Sequence, residues 1–246
     1  MNVTERCNTV RKLRAAEDEK AALALLRFVA DQSPTVRECA MSALRDVGGW
    51  LAAVAARALV TDPRPFVRST AVATLAEVGS SVDLGRFIAA AQDPDWSVRT
   101  DAIPGLLRVG GHRTLAVLRS MVLRDPNPVV RRDAAIAISR HQMGPSLAQE
   151  LVSALNRELS PIACVGLVYA LYCLGDRARI EQLVEMLRHP DPLVRCNVVN
   201  SIEPPDIREE DRDYVVSAVR KLLAEDNHPG VIGDAKSLLA RLTGPG

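Results

Sequence analysis

Aromatic side chains are scarce in this chain. Three Phe, three Tyr and two Trp make up 3% of its 246 residues. A core of that composition must be closed by Ala, Val and Leu, small residues that let helices pack closely. An excess of one charge is also lacking: 31 Lys and Arg stand against 30 Asp and Glu. A polyanionic partner is therefore not announced, and nucleic acid is disfavoured. No apolar run approaches the ~20 residues that span a bilayer, and Met1 to Lys20 is polar throughout rather than a leader. The expectation is a cytoplasmic protein without a membrane partner. Cys7, Cys39, Cys164, Cys173 and Cys196 are odd in number and scattered, without CxxC spacing. That argues against a zinc site or a disulfide framework and for reduced thiols. His112, His141, His189 and His228 include no i, i+4 pair, so no metal is expected. GxSxG, P-loop, GxGxxG and HExxH motifs are all missing, and no cofactor is implied.

What the chain does have is a recurring phrase. It reads Asp62-Pro63-Arg64-Pro65-Phe66-Val67-Arg68, then Asp93-Pro94-Asp95-Trp96-Ser97-Val98-Arg99, then Asp125-Pro126-Asn127-Pro128-Val129-Val130-Arg131. A period of roughly 20–50 residues marks a solenoid of stacked units. Taking the arginine as zero, the column runs Arg37, Arg68, Arg99, Arg131, Cys164, Arg195 and Ile232, with spacings of 31, 31, 32, 33, 31 and 37. Six residues earlier stand Asp31, Asp62, Asp93, Asp125, Glu158, His189 and Asp226, which keeps the register where the arginine is lost. A half-buried pair between an arginine and the acid one turn before it would fix geometry more than add stability.

Four residues before zero, Ser33, Asn127, Ser160 and Asp191 are helix-capping types followed by Pro, which fits the first helical position. A helix B therefore starts there in each unit. Its +3, +4 and +7 positions are apolar at helical spacing: Ala40, Met41, Leu44; Ala71, Val72, Leu75; Ala102, Ile103, Leu106; Ala134, Ala135, Ile138. Gly48, Gly79, Gly110 and Gly175 stand at +11, where a left-handed C-cap is expected. A helix A precedes each B: Leu23–Ala30, Trp50–Val60, Val82–Ala91, Thr114–Leu123, Leu147–Asn156, Arg179–Leu187 and Tyr214–Ala224. The predicted architecture is all-α, one right-handed α-α superhelix of about seven helical hairpins over residues 1–246. Residues 1–17 form an N-terminal capping helix, and the repeats run over about 18–48, 49–79, 80–111, 112–144, 145–175, 176–206 and 207–246.

The pattern D-P-x-x-x-V-R-x-x-A-x-x-x-L-x-x-x-G, over about Ala21 to Leu242, resembles the HEAT repeat in its short bacterial, phycobilisome-lyase-like form. That resemblance implies a ladder between neighbouring repeats, formed here by Asp31, Arg37, Asp62, Arg68, Asp93, Arg99, Asp125, Arg131 and Arg195. It also implies that B helices line a concave face. The His-Glu dipeptides that HEAT-like deoxyhypusine hydroxylases carry around a di-iron centre are missing.

If B helices line the concave face, positions +1, +5 and +8 point away from the core on one helical stripe. In unit one they are Glu38, Ser42 and Arg45, and in unit six Cys196, Asn200 and Glu203. The middle units carry Pro104, Leu107, Arg132, Ile136, Val165, Tyr169 and Tyr172, so an apolar and aromatic groove is expected there, with the tyrosines as anchors. The alternative is a register slip that buries the tyrosines. Trp50 and Trp96 are read as packing residues, and Glu203–Asp213, with two prolines, as a solvated loop. The function read from this pattern is a non-catalytic scaffold that binds a protein or peptide in the groove. Catalysis is the weaker reading. Resemblance to bilin lyases and isomerases would imply tetrapyrrole attachment to an antenna protein; resemblance to HEAT-like alkylpurine glycosylases would imply DNA binding, which the near-zero charge opposes.

Overall fold

The computed structural model describes residues 1–16, 19–139 and 145–244, without the side chains of residues 19, 22, 23, 45, 47, 48, 145 and 146. His141, the boundary at residue 144 and the end of the expected cap at residue 17 lie outside the described residues. The described residues hold fourteen α-helices and no strand. The chain falls into two compact units, Met1–Val117 and Leu118–Gly246.

The first unit contains α1 (Val3–Ala16), α2 (Glu19–Leu25), α3 (Pro34–Leu59), α4 (Pro65–Val78), α5 (Leu84–Ala90) and α6 (Trp96–Val109), and the start of α7 (His112–Arg124). Short 3₁₀ turns at Leu26–Phe28 and Ser81–Asp83 adjoin α2 and α5. The helices α1, α3, α4 and α6 pack in that order, and α5 lies against α6. The second unit contains the rest of α7, then α8 (Pro128–Ser139), α9 (Pro145–Leu155), α10 (Pro161–Cys173), α11 (Arg179–Glu185), α12 (Pro192–Ser201), α13 (Glu209–Glu225) and α14 (Pro229–Thr243). Here α8, α10, α12 and α14 pack in series, with α9, α11 and α13 beside them.

The columns explain the core. All twelve +3, +4 and +7 residues named above are at most 4% exposed. Each fully buried Leu or Ile among them contributes roughly 2 kcal/mol of transfer free energy. Ala at +3 lets successive B helices approach. Two glycines mark still closer approaches: a Cβ on Gly105 would lie 2.2 Å from the Phe87 ring, and one on Gly166 2.4 Å from the Arg132 carbonyl oxygen.

Two expectations are corrected. Helix α3 runs straight through Gly48-Gly49, so the first B helix and the following Trp50–Val60 segment are one 26-residue helix. Glycine permits a left-handed residue but does not impose one. Of the four glycines at +11, Gly110 (φ 70°) and Gly175 (φ 113°) take a positive φ, while Gly79 is extended. The second correction concerns the charges. The carboxylate at −6 does not serve the arginine of its own unit. It accepts the backbone N–H two residues on, from Asp31 to Ser33 (2.8 Å), Asp62 to Arg64 (2.9 Å), Asp93 to Asp95 (2.9 Å), Asp125 to Asn127 (2.9 Å), Glu158 to Ser160 (2.9 Å) and Asp226 to His228 (2.8 Å). His189 fills the column because its Nδ1 accepts equally, from Asp191 at 3.1 Å.

The arginine joins repeats. Arg68 Nη1 donates to the carbonyls of Asp62 (2.8 Å) and Pro63 (3.1 Å), while Nε and Nη2 fork onto the Asp93 carboxylate at 2.7 and 2.8 Å. Arg131 does the same with the Asp125 and Pro126 carbonyls and Glu158, and Arg195 with the His189 and Pro190 carbonyls and Asp226. Arg37 and Arg99 hold their own turns in the same way. Arg37 also donates to Thr70 Oγ1 and stacks over Phe66 at 4.1 Å. Asp62 is instead gripped by Arg64. The helix expected as a cap, α1, packs on α3 and makes a rung of the same kind. Arg6 lies 31 residues before Arg37 and pairs with Asp31 at 2.9 Å, and Asn2 caps Glu5 N–H at 2.9 Å.

Replacing Arg131 with Met should cost about 2 kcal/mol or more, since it takes the cation from a half-buried Glu158 and the guanidinium donor from two carbonyls. Cys164→Ala, at a position with no arginine, should cost under about 1 kcal/mol. Urea unfolding midpoints measure both.

The Arg64 guanidinium holds the Asp62 carboxyl down to about 2 from an ordinary 3.8. A depressed carboxylate adds stability above its unfolded pKa and loses it as pH falls through the folded one. Asp62→Asn should therefore flatten the fall of thermal stability between about pH 4 and about pH 2. Unchanged slopes in that window would contradict the pairing.

Candidate interaction surface

The sequence places the functional stripe at +1, +5 and +8 of the B helices. In the first unit it is open in part. Pro104 is exposed on α6 and Leu107 half-buried, with Ser69 and Ala73 half-buried on α4. Pro104 does not end the helix, although its ring nitrogen cannot serve the Thr100 carbonyl. At one end of this face Ser69 Oγ donates to Asp101 Oδ2. Burial pushes the Asp101 carboxyl above its usual range against that bond. At the C-terminal end, Arg108 of α6 caps the last carbonyls of α4, at Leu75 (3.0 Å) and Gly79. This second staple between repeats had no motif to reveal it.

In the second unit Arg132 and Ile136 are half-buried. Arg132 Nε pairs with the neighbouring Asp133 at 2.7 Å, and burial pushes the Asp133 carboxyl up. Ile136 packs against the core. Val165, Tyr169 and Tyr172 were expected on the groove, and that expectation is wrong: they are 0%, 0% and 1% exposed. The cause is legible in α10 itself. From Ile162 to Cys173 it carries no charged residue and only the two phenols as polar tips, so it has no face for water.

The tyrosines are buried by the segment read as a solvated loop. Pro204–Asp206 is a 3₁₀ turn, Ile207 is core, and Glu209 begins α13. Tyr169 Oη donates to Asp206 Oδ2 (2.9 Å) and accepts Glu203 N–H (3.0 Å). Tyr172 Oη donates to Asp211 Oδ2 and accepts Arg208 N–H, both at 3.0 Å. Arg177 completes the cluster on Asp211 Oδ1 (2.7 Å) and holds that carboxyl below its usual range. Burial drives both phenol pKa values up. Each hydroxyl thus replaces solvent for one donor and one acceptor. The arginine is missing at position 164 and the carboxylate at position 189, and the phenols of α10 reach the 203–211 segment instead.

The large exposed apolar residues lie elsewhere. Trp50 is 65% exposed and Val54, one turn further along α3, is 50% exposed. Trp96 is 46% exposed at the start of α6. Neither tryptophan is the packing residue expected. In the second unit a groove of about 460 Å³ lies between Leu187 and Leu222, rimmed by Arg188, Lys221 and Glu225. A second of about 640 Å³ lies beside the Arg131–Glu158 rung, with Leu123 and Leu159 at its edge. Among the described residues no group of three or more His, Cys, Asp or Glu converges as a metal site, and no helix is long and apolar enough to cross a membrane.

The family profile described as HEAT repeats matches residues 52–139. A crystal structure of an engineered protein is similar over 90% of this chain and 96% of its own, at 17% identity and a TM-score of 0.36. No curated protein matches the chain.

Tyr169→Phe should cost about 1–3 kcal/mol, since it leaves Asp206 and the Glu203 N–H without their shared partner. Tyr169→Ala should cost about 3–5 kcal/mol through the cavity as well. Chemical denaturation measures both, and a near-neutral Ala variant would restore these residues to the surface.

Proposed function

We propose that this chain, whose residues 52–139 match the HEAT-repeat profile, is a non-catalytic scaffold that binds a protein partner, anchored at Trp50 and Val54. One observation carries the reading. Two large apolar side chains lie a helical turn apart in water, 65% and 50% exposed, while the charges of the repeat motif are committed to turns and rungs. Tryptophan in such a patch is the residue type most enriched at interface hot spots. Pro104 and Leu107 on the α6 surface of the same unit, and Arg132 and Ile136 within the second, are retained as proposed contacts of their own units. Tyr169, Tyr172 and Val165 are withdrawn. The buried tyrosines lend no support to tetrapyrrole attachment. A cytoplasmic location belongs to the same proposal.

Partner capture tests it. Wild-type protein should retain a specific partner through salt washes, and Trp50→Ala with Val54→Ser should lose at least tenfold in affinity, about 1.4 kcal/mol or more. Circular dichroism should show the fold intact. Equal capture by the folded double variant would overturn the anchor.

A further inference from the structure

Two thiols meet where α1 packs against α3. Cys7 is 5% exposed and Cys39, 32 residues on, is half-buried. Helices α1 and α3 pack directly against each other, and Cys7 lies near enough to Cys39 to raise its thiol. Repeat register accounts for the meeting. Cys7 stands one residue after Arg6, and Cys39 two residues after Arg37.

The same pair of positions touches elsewhere in the chain. Ser69 follows Arg68 by one, Asp101 follows Arg99 by two, and their side chains are hydrogen-bonded. Arg132 follows Arg131 by one, Gly166 follows Cys164 by two, and a Cβ on Gly166 would lie 2.6 Å from the Arg132 Cα. Position +1 of one repeat and +2 of the next are thus a point of closest approach between successive B helices. Cys7 and Cys39 occupy that point between α1 and α3. The Arg6–Asp31 pair holds α1 in the same place without a covalent bond.

We propose that Cys7 and Cys39 are a redox-sensitive pair that a hydroperoxide converts to a disulfide, locking α1 onto α3. The more accessible Cys39 attacks as thiolate. Its sulfur displaces water from hydrogen peroxide as the O–O bond breaks, and Cys39 becomes a sulfenic acid. Cys7 then attacks that sulfur, the S–S bond forms, and the hydroxyl leaves as a second water with the Cys7 proton. Two electrons pass from the thiols to one peroxide. Burial, and then the nearness of Cys7, hold the Cys39 thiol above its ordinary pKa, so the reaction accelerates as pH rises. Cys164 and Cys196 face Glu158 and Asp234 instead of a second thiol.

Hydrogen peroxide treatment of the full chain tests this by mass spectrometry and thiol titration. Free thiols should fall from five to three, with the mass of two hydrogens lost. Non-reducing peptide maps should join the peptides of Cys7 and Cys39. The melting temperature should rise by about 5 °C and return on reduction. Cys39→Ser should abolish the linked peptide and the shift, and the wild-type map stands alone if that variant fails to fold. Oxygen adducts on separate cysteines, a different linked pair, or five free thiols after treatment would overturn the proposal.

Discussion

A guanidinium with three bonding directions is the constraint on which the rest of this structure depends. One nitrogen gathers the carbonyls of the turn that opens its own helix. The other two fork onto a carboxylate of the next repeat, which itself orders the backbone of the turn it came from. In Arg68–Asp93, Arg131–Glu158 and Arg195–Asp226 every polar group brought out of water has a partner. Burial alone would push Asp93 and Glu158 up, but the arginines and backbone N–H groups bring both below their ordinary range. The rung is therefore less a source of net stability than a gauge that sets how one hairpin meets the next.

Where a rung is missing, another device takes its place. Asp62 is taken by Arg64, and Arg37 turns to Thr70 and the Phe66 ring. Cys164 has no arginine to offer and His189 no carboxylate, and there the phenols of Tyr169 and Tyr172 tie α10 to the Glu203–Asp211 segment. Loss of the motif is compensated rather than relaxed. Helix α10 is thus buried from Val165 to Tyr172 rather than open to a partner.

This explains what the sequence made legible and what it hid. Helix type, repeat register and the +3, +4, +7 core could be read directly, because burial at helical spacing leaves a periodic trace. The Arg6 half-repeat had the same spacing of 31 but lacked the Asp-Pro phrase, so it read as a cap. The fate of Tyr169 depended on Asp206, 37 residues away, in a segment whose prolines and charges imitate a loop. Column position gave its direction on an ideal helix, but α10 has no polar face to choose. Gly48 looked like the Gly79 and Gly110 positions, yet nothing local forces a helix to end at glycine. Trp50 was misplaced for the same reason, since its setting depends on α3 continuing.

A double-mutant cycle on Arg68 and Asp93 measures the central claim most directly, because it isolates the contact between repeats from the bonds each residue makes within its own turn. The rung predicts a coupling free energy of about 1 kcal/mol or more. Independent, additive effects of the two substitutions would contradict it.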